Sequence, residues 1–254
     1  MRSFLSTAYR SGETAYPLTL KNARDTYVIG PTVQGSNPAS WTWQRWEEEP
    51  NTGGAMWLQT SGSSGVYGLV ADNVFDFFKP RPTDEGDLEA SILIADSYGS
   101  HIHDDCIEND YEMHVTVRDV VCNGSHMGIS IAQDSATVGV VTTVESSTII
   151  LSPRPNEKAE DGVGHAVLFK QLGSGTVALR DVNVCYTENP LEEHKLTNWP
   201  SGTYENVTIV LGEAFAMPTS MFGTVPTGVT FSRDWTICTD AVASWKERHG
   251  AGRF

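Results

Sequence analysis

The chain has 254 residues, of which 39% are hydrophobic and 19% charged, and this balance argues against an intrinsically disordered protein. Seventeen Lys and Arg against 32 Asp and Glu give a formal net charge of −15 at pH 7, which disfavours nucleic acid and anionic membranes as partners. No run of about 18 uncharged apolar residues is present, so the sequence predicts no transmembrane helix.

Short β-rich runs recur along the chain, each with a small polar marker residue followed by aliphatic residues. The markers are Asp25, Asp72, Asp96, Asp119, Ser146, Asp181 and Asn206. Successive markers from Asp72 to Ser146 lie about 24 residues apart. A repeat of this length that contains one or more strands is typical of a solenoid.

The repeats predict an all-β fold, a single-stranded right-handed parallel β-helix followed by a short C-terminal helix. Equivalent strands of successive coils would stack about 4.8 Å apart into parallel sheets. A leucine-rich repeat needs a Leu/Asn pattern that this sequence lacks, and a β-sandwich has no fixed repeat of the whole motif. We expect one domain over residues 1–254, with coils over about residues 18–212.

Three insertions and a C-terminal segment depart from the repeat. The insertions are expected as loops over about residues 37–57, 79–89 and 153–164. The C-terminal segment, about residues 226–250, is expected to form a short helix that Thr239 or Asp240 begins and Trp245 packs. Because a solenoid must cover its open end, we expect this helix to be a cap.

The four cysteines form no CxxC pair, so the sequence does not indicate a cysteine-based zinc site. They are too few for a disulfide scaffold, and buried free thiols are expected for most of them. The N-terminus lacks the apolar core of a signal peptide, so either the protein is not secreted or a leader has been removed. Little sequence precedes the first coil, which points to a truncated domain or to a homo-oligomer that covers it.

The densest polar group is the run HIHDDCIEND over residues 101–110. Aligning the coils on their markers brings polar side chains of several coils into one column, because equivalent positions stack. The column holds Asp104, Asp105, His126, His165 and Lys170, with Lys195 as a further candidate. Glu108 belongs to the same run, whereas His101 and His103 are expected at the surface or in turns.

Two reactions on glycans fit these groups. Hydrolysis of a glycosidic bond needs two carboxyl groups, which Asp104 with Asp105 or Glu108 would supply. Elimination from a uronic acid needs a base and a positive charge, which His126 or His165 together with Lys170 would supply.

A calcium ion held by Asp104, Asp105 and Glu108 is another source of that positive charge. Elimination is our first choice, because the column contains bases and a cation besides acids. Each residue also has a structural interpretation: Asp105 can point inward and bind coil backbone, and His165 can pack before an apolar strand.

Aromatic residues of the first insertion are candidate substrate-binding groups. Trp41, Trp43 and Trp46 can stack on sugar rings, or they can cover the open end of the solenoid. Lys195 is a further candidate for substrate binding. The sequence has no GxGxxG before a helix, no P-loop, no GxSxG elbow and no HExxH motif. A nucleotide cofactor is therefore not expected.

Three segments resemble bacterial right-handed parallel β-helix repeat proteins of the pectate lyase-like superfamily. They are Asp104–Asp110 (DDCIEND), His165–Lys170 (HAVLFK) and Ala241–His249. The resemblance covers roughly residues 92–250, with Cys106 and Ala166 where that group has Ala and Gly. It implies a β-helix fold and a polysaccharide or oligosaccharide ligand, as in the similar pectate, alginate and chondroitin lyases and the polygalacturonase-type hydrolases.

We therefore expect a carbohydrate-active protein, extracellular or periplasmic, that cleaves an acidic glycan by β-elimination. A glycoside hydrolase and a non-catalytic glycan-binding or adhesion protein are the alternatives. The net charge opposes a polyanionic substrate unless calcium or a local positive strip intervenes, and a neutral glycan removes that objection.

Overall fold

The computed structural model describes residues 16–48, 53–84, 87, 89–111, 113–131, 139–170, 175–188, 199–212 and 223–250. Within these ranges the chain is mostly β, with two helices, so the all-β class is confirmed there. Neither helix has the length and apolar character needed to cross a membrane.

The strands are short except where they pass through the middle of the sheet. In chain order they are β1 (Leu18–Ala23), β2 (Tyr27–Ile29), β3 (Thr32–Gln34), β4 (Met56–Thr60), β5 (Ser63–Tyr67), β6 (Val70–Asp72), β7 (Phe78–Pro82), β8 (Ser91–Asn109), β9 (His114–Ile131), β10 (Val141–Glu145), β11 (Thr148–Leu151), β12 (Arg154–Pro155), β13 (Val163–Gly164), β14 (Val167–Phe169), β15 (Thr176–Tyr186), β16 (Gly202–Leu211) and β17 (Val229–Ser232). The helices are α1 (Trp43–Glu48) and α2 (Thr236–His249).

Every pairing in the main sheet is parallel, and each strand pairs with a strand about one repeat later. Its main path runs β1-β4-β7-β8-β9-β10-β15-β16-β17. β10 and β11 both pair with β9 and β15, which closes a circuit of four parallel strands. Equivalent apolar residues meet in this register: Ile94 lies opposite Val117, and Val117 opposite Val144.

The core follows from this register, because one apolar position of each repeat stacks on the next. Ile94, Val117, Val144 and Leu179 are all buried at 1% exposure or less. Burying one such side chain contributes about 1.5–3 kcal/mol. This row of four apolar side chains therefore stabilises the contacts between successive repeats.

The polar markers share one backbone role. Asp96, Asp119 and Ser146 have φ angles of +53°, +51° and +47°, and Asp181 and Asn206 of +54° and +51°. Short polar side chains tolerate this left-handed conformation better than most residues do. Each marker therefore bends the chain, between β10 and β11 at Ser146 and within a long strand at the other four positions.

Two expected markers were wrong. Tyr67 lies opposite Ala95, which places Gly68 rather than Asp72 beside Asp96. Gly68 has a φ angle of +66°, so a glycine makes the same left-handed turn without a polar side chain. Asp25 does not occupy this position either. Ile29 lies opposite Tyr67, which places Gly30 beside Gly68, and Gly30 has a φ angle of +65°.

The three insertions contain more regular structure than expected. The first holds α1 and the start of β4, the second overlaps the end of β7, and the third contains the antiparallel pair β12–β13. The first and third touch: Thr42 Oγ1 donates to Glu157 Oε1 at 2.7 Å, and Gln44 donates to Asn156. The insertions thus pack on one another beside the sheet.

The C-terminal helix is present, but its expected position was wrong. α2 begins at Thr236, whose N–H donates to the Asp234 carboxylate at 3.0 Å. Trp245 packs on Tyr98 and Val121, which belong to β8 and β9 on the outer side of the sheet. The helix therefore lies along the stacked strands instead of closing an end.

All four cysteines form disulfides, so the expectation of free thiols was wrong. Cys106 pairs with Cys122 and Cys185 with Cys238, at Cα–Cα distances of 5.9 and 6.3 Å. The first bond joins β8 to β9, and the second ties α2 to β15. The pairing follows from the stacking of strands, which spacing along the chain does not reveal.

Candidate functional site

Five carboxyl groups and two ammonium groups meet beside strands β7, β8, β9 and β14. We call them the acidic cluster: Asp76, Asp104, Asp105, Glu108, Asp110, Lys79 and Lys170. The register explains the meeting, because Phe78 pairs with Ile107, Ile107 with Ile129 and Ile129 with Phe169. The residues that follow each of these positions, including Lys79, Glu108 and Lys170, therefore lie in one row across the sheet.

Lys170 bridges the two adjacent aspartates. Its Nζ lies 2.8 Å from Asp104 Oδ2 and 2.9 Å from Asp105 Oδ2. Burial raises the pKa of Asp104 to about 6, although the charge of Lys170 opposes this shift. Burial and the charge of Asp104 together hold the pKa of Asp105 well above its usual range. Burial favours a neutral Lys170, but the charges of Asp105 and Asp104 prevail and raise its pKa above the usual value.

Lys79 bridges the second carboxyl pair. Its Nζ lies 2.6 Å from Glu108 Oε1 and 3.7 Å from Asp110 Oδ2. Burial and the Asp76 charge raise the pKa of Glu108 to about 11, despite the opposing charge of Lys79. Burial favours a neutral Asp110, but hydrogen bonds from Glu108 and Ser130 and the charge of Lys79 lower its pKa. At neutral pH Glu108 is the protonated member of the pair and Asp110 the ionised one.

One carboxyl group from each pair lies close to a third, that of Asp76. Asp76, Asp105 and Glu108 each offer an oxygen, and the three oxygens lie within 4.8 Å of one another. The Tyr16 hydroxyl donates to Asp76 Oδ2 at 2.7 Å. These three residues can hold a metal ion, and Asp96, Asp119 and His249 are a second such group in the described part of the chain. Asp104, which was expected among the metal ligands with Asp105 and Glu108, instead faces Lys170.

Sequence reasoning missed Asp76, Lys79 and Asp110 as site residues. Asp76 carried a usable signal, since it is an acid inside the apolar run VFDFF at residues 74–78. Such an acid is buried with its flanking residues and needs a partner. Lys79 was assigned to a loop, although it lies on β7.

The histidines lie near the third insertion. His165 Nε2 is 3.0 Å from Asp161 Oδ2, and the His126 ring packs against Gly164, where a side chain would approach it to 3.0 Å. His101 is exposed, as expected. His103 is 1% exposed, so its expected surface position was wrong; burial lowers its pKa to about 3.

The tryptophans of the first insertion pack partly into the protein. The Trp46 ring is 2% exposed and stacks on His103 with ring centroids 4.0 Å apart. Trp43 packs on Phe75, and Trp41 lies under the Arg45 guanidinium at 4.4 Å. Trp41 and Trp43 remain half-buried. Lys195, the further residue expected to bind substrate, lies outside the described residues.

The arrangement combines a protonated carboxyl, an ionised carboxylate and a lysine at a partly open surface. The side chains of Glu108 and Asp110 are 11% and 31% exposed, whereas those of Asp104 and Asp105 are 4% and 0% exposed.

No protein-family model, curated protein or solved structure matches the chain. The function is therefore argued from this geometry.

Proposed function

We propose that the chain is a right-handed parallel β-helix that hydrolyses a glycosidic bond, with Glu108 as general acid and Asp110 as general base. The solenoid is supported by parallel pairing between strands about one repeat apart. Connections between parallel strands of one sheet are right-handed in about 98% of cases. Two disulfides favour an oxidising compartment, in accord with an extracellular or periplasmic protein.

One observation carries the proposed reaction: a largely buried carboxyl group, Glu108, and a partly exposed one, Asp110, share Lys79 and differ in protonation. Glycoside hydrolysis needs one carboxyl group to donate a proton and another to activate water or attack the sugar. Neighbouring titratable groups whose environments separate their pKa values identify such an acid and base. The Glu108–Asp110 pair meets this condition at neutral pH. Because Glu108 hydrogen-bonds to Asp110 in the free protein, a bound sugar has to separate the two carboxyl groups to the distance of about 5–9.5 Å that hydrolysis requires.

In the proposed reaction Glu108 transfers its proton to the glycosidic oxygen as the bond to the sugar carbon breaks. Asp110 takes a proton from a water molecule whose oxygen forms the new bond to that carbon. Lys79 keeps Asp110 ionised, and the Ser130 hydroxyl, which donates to Asp110 Oδ1 at 2.9 Å, orients it. The products are two saccharides, one with a new reducing end.

Elimination, our first choice from the sequence, is the second candidate. His165 next to Asp161 supports it, because a carboxylate orients an imidazole for proton abstraction. The lysines support it less, since Lys170 and Lys79 already neutralise protein carboxylates. A substrate carboxylate would have to compete with these groups.

The test is a panel of neutral glucans, pectate, alginate, chondroitin and glucuronan, assayed for reducing ends and for the ultraviolet absorbance of unsaturated uronates. We expect reducing ends without absorbance. The variant Glu108→Gln should lose about 10²–10⁴-fold of the activity, whereas Glu205→Gln, an exposed glutamate paired with Arg180, should keep it.

The other results separate the alternatives. New ultraviolet absorbance that depends on His165 would establish elimination and refute hydrolysis. A folded protein that binds a glycan but yields neither product would be a binding module. Full activity in Glu108→Gln would exclude Glu108 as the acid.

A further inference from the structure

We propose that Asp76, Asp105 and Glu108 form a binding site for one hard divalent cation of the calcium class. The site goes beyond the proposed hydrolysis, because cation binding is measured without any glycan. Asp76 reaches it from the segment before β7, and Asp105 and Glu108 from β8. The strand register, not the local sequence, brings the three together.

The first argument is charge. The acidic cluster holds five carboxyl groups and only two ammonium groups, and Asp76, Asp105 and Glu108 are 3%, 0% and 8% exposed. Buried carboxylates need paired charges, because burial penalises an isolated ion heavily. Lys79 and Lys170 neutralise two of the five, and the other carboxyl groups must either be protonated or bind a further cation.

The second argument is the state of the individual oxygens. Asp105 and Glu108 each use one oxygen for a lysine, Lys170 and Lys79 respectively. Asp105 Oδ1 is buried and has no hydrogen-bond partner among the described residues. Such buried acceptors are rare in folded proteins unless an ion or water satisfies them.

The third argument identifies the class of ion. All three protein ligands are oxygens. Hard cations prefer oxygen ligands, whereas softer metals such as zinc also favour nitrogen and sulfur. The oxygens lie within 4.8 Å of one another, so a single ion can contact all three. Calcium accepts irregular sets of six to eight oxygens, whereas magnesium needs a near-ideal octahedron, so titration with each ion separates the two.

Tyr16 supports the site from outside. Its hydroxyl donates to Asp76 Oδ2 at 2.7 Å, and the Asp105 N–H donates to Asp76 Oδ1 at 3.4 Å. These two bonds orient the Asp76 carboxylate. Groups that orient a metal ligand in this way commonly change metal affinity by about 10–100-fold when removed.

The site shares Glu108 with the proposed hydrolysis. An oxygen of Glu108 that ligates a cation no longer donates a proton, so binding and proton transfer exclude one another at this residue. Calcium is therefore expected to inhibit hydrolysis, and a chelator to relieve that inhibition. Failure of the hydrolysis leaves the binding measurement intact.

The experiment is calorimetric titration of the chelator-treated full chain with CaCl₂, and in parallel with MgCl₂, together with thermal unfolding with and without calcium. We expect one calcium site and a higher melting temperature in calcium. Asp76→Asn should abolish saturable binding, and Tyr16→Phe should weaken it about 10–100-fold. Asp25→Asn, a change of the same kind at an exposed aspartate, should bind as the unchanged protein does.

Asparagine at position 76 preserves size and removes one buried charge, so the folded state of Asp76→Asn is checked by its unfolding curve in chelator. Absence of saturable calcium binding by the unchanged protein would overturn the proposal. Equal binding by the unchanged protein and Asp76→Asn would also overturn it, because the ion would then lie elsewhere.

Discussion

Two pairs of carboxyl groups are each bridged by one lysine, but their surroundings differ. Lys170 joins Asp104 and Asp105, whose side chains are 4% and 0% exposed. Lys79 joins Glu108 and Asp110, whose side chains are 11% and 31% exposed. The Lys170 pair is thus inaccessible to a polymer, whereas the Lys79 pair lies at the surface with one acid protonated and one ionised.

The roles of the two pairs depend on how deeply each is buried and not on residue type. A buried pair that loses one partner leaves an uncompensated charge, which is strongly destabilising. A partly exposed pair retains water as a substitute partner, and its acids can contact a substrate. We therefore assign stability to the Lys170 pair and chemistry to the Lys79 pair.

The largest expected effect separates the pairs by activity. Asp110→Asn should lower kcat/KM by about 10²–10⁴-fold, because the general base is lost. Asp104→Asn, the same substitution in the Lys170 pair, should leave kcat/KM within about tenfold of the unchanged protein. The measurement is the initial rate of reducing-end release, and equal losses in both variants would remove the distinction.

The next effect separates the pairs by stability. Lys170→Met should lower the free energy of unfolding by about 3–5 kcal/mol, because two buried aspartates lose their cation. Lys79→Met should lower it by about 1 kcal/mol, because Glu108 is protonated and Asp110 is partly hydrated. Urea unfolding of both variants at pH 7 measures this difference. A larger loss in Lys79→Met would reverse the assignment.

The free energy of unfolding should also depend on pH through Asp104 of the Lys170 pair. Burial raises the pKa of Asp104 to about 6, so the folded state binds more protons than the unfolded state between about pH 4 and 6. Stability in chelator should therefore increase as pH falls from 7 towards 5. Asp104→Asn should flatten that part of the curve, which unfolding in urea at several pH values will show. An unchanged slope would mean that other groups cause it.

The smallest expected effect concerns Ser130, which donates to Asp110 at 2.9 Å. Ser130→Ala removes one hydrogen bond to the ionised base and should lower kcat/KM by about fivefold, equivalent to about 1 kcal/mol. Stability should change little, because Ser130 does not contact the Lys170 bridge through a described hydrogen bond. Ser63→Ala, at a partly exposed serine bonded to Ser91, is the matched control.

Several features of the fold were readable before the structure. Asp96, Asp119, Ser146, Asp181 and Asn206 revealed the repeat, because the left-handed position in each of these repeats favours small polar residues. The markers failed where Gly30 and Gly68 make the same turn. The site was readable only in part: the run over residues 101–110 identified three acids of the cluster, but nothing near them in the chain pointed to Lys79.

The amino-acid sequence by itself determined a mostly β chain of repeats and the location of its densest acidic run, since both depend on residues close together in the chain. The tertiary structure alone decided which acids face which lysine, how the cysteines pair and where α2 lies. Each of these depends on the strand register, which brings Asp76 to Asp105 and Cys106 to Cys122. Contacts between strands of successive repeats set that register, and a linear pattern does not specify them.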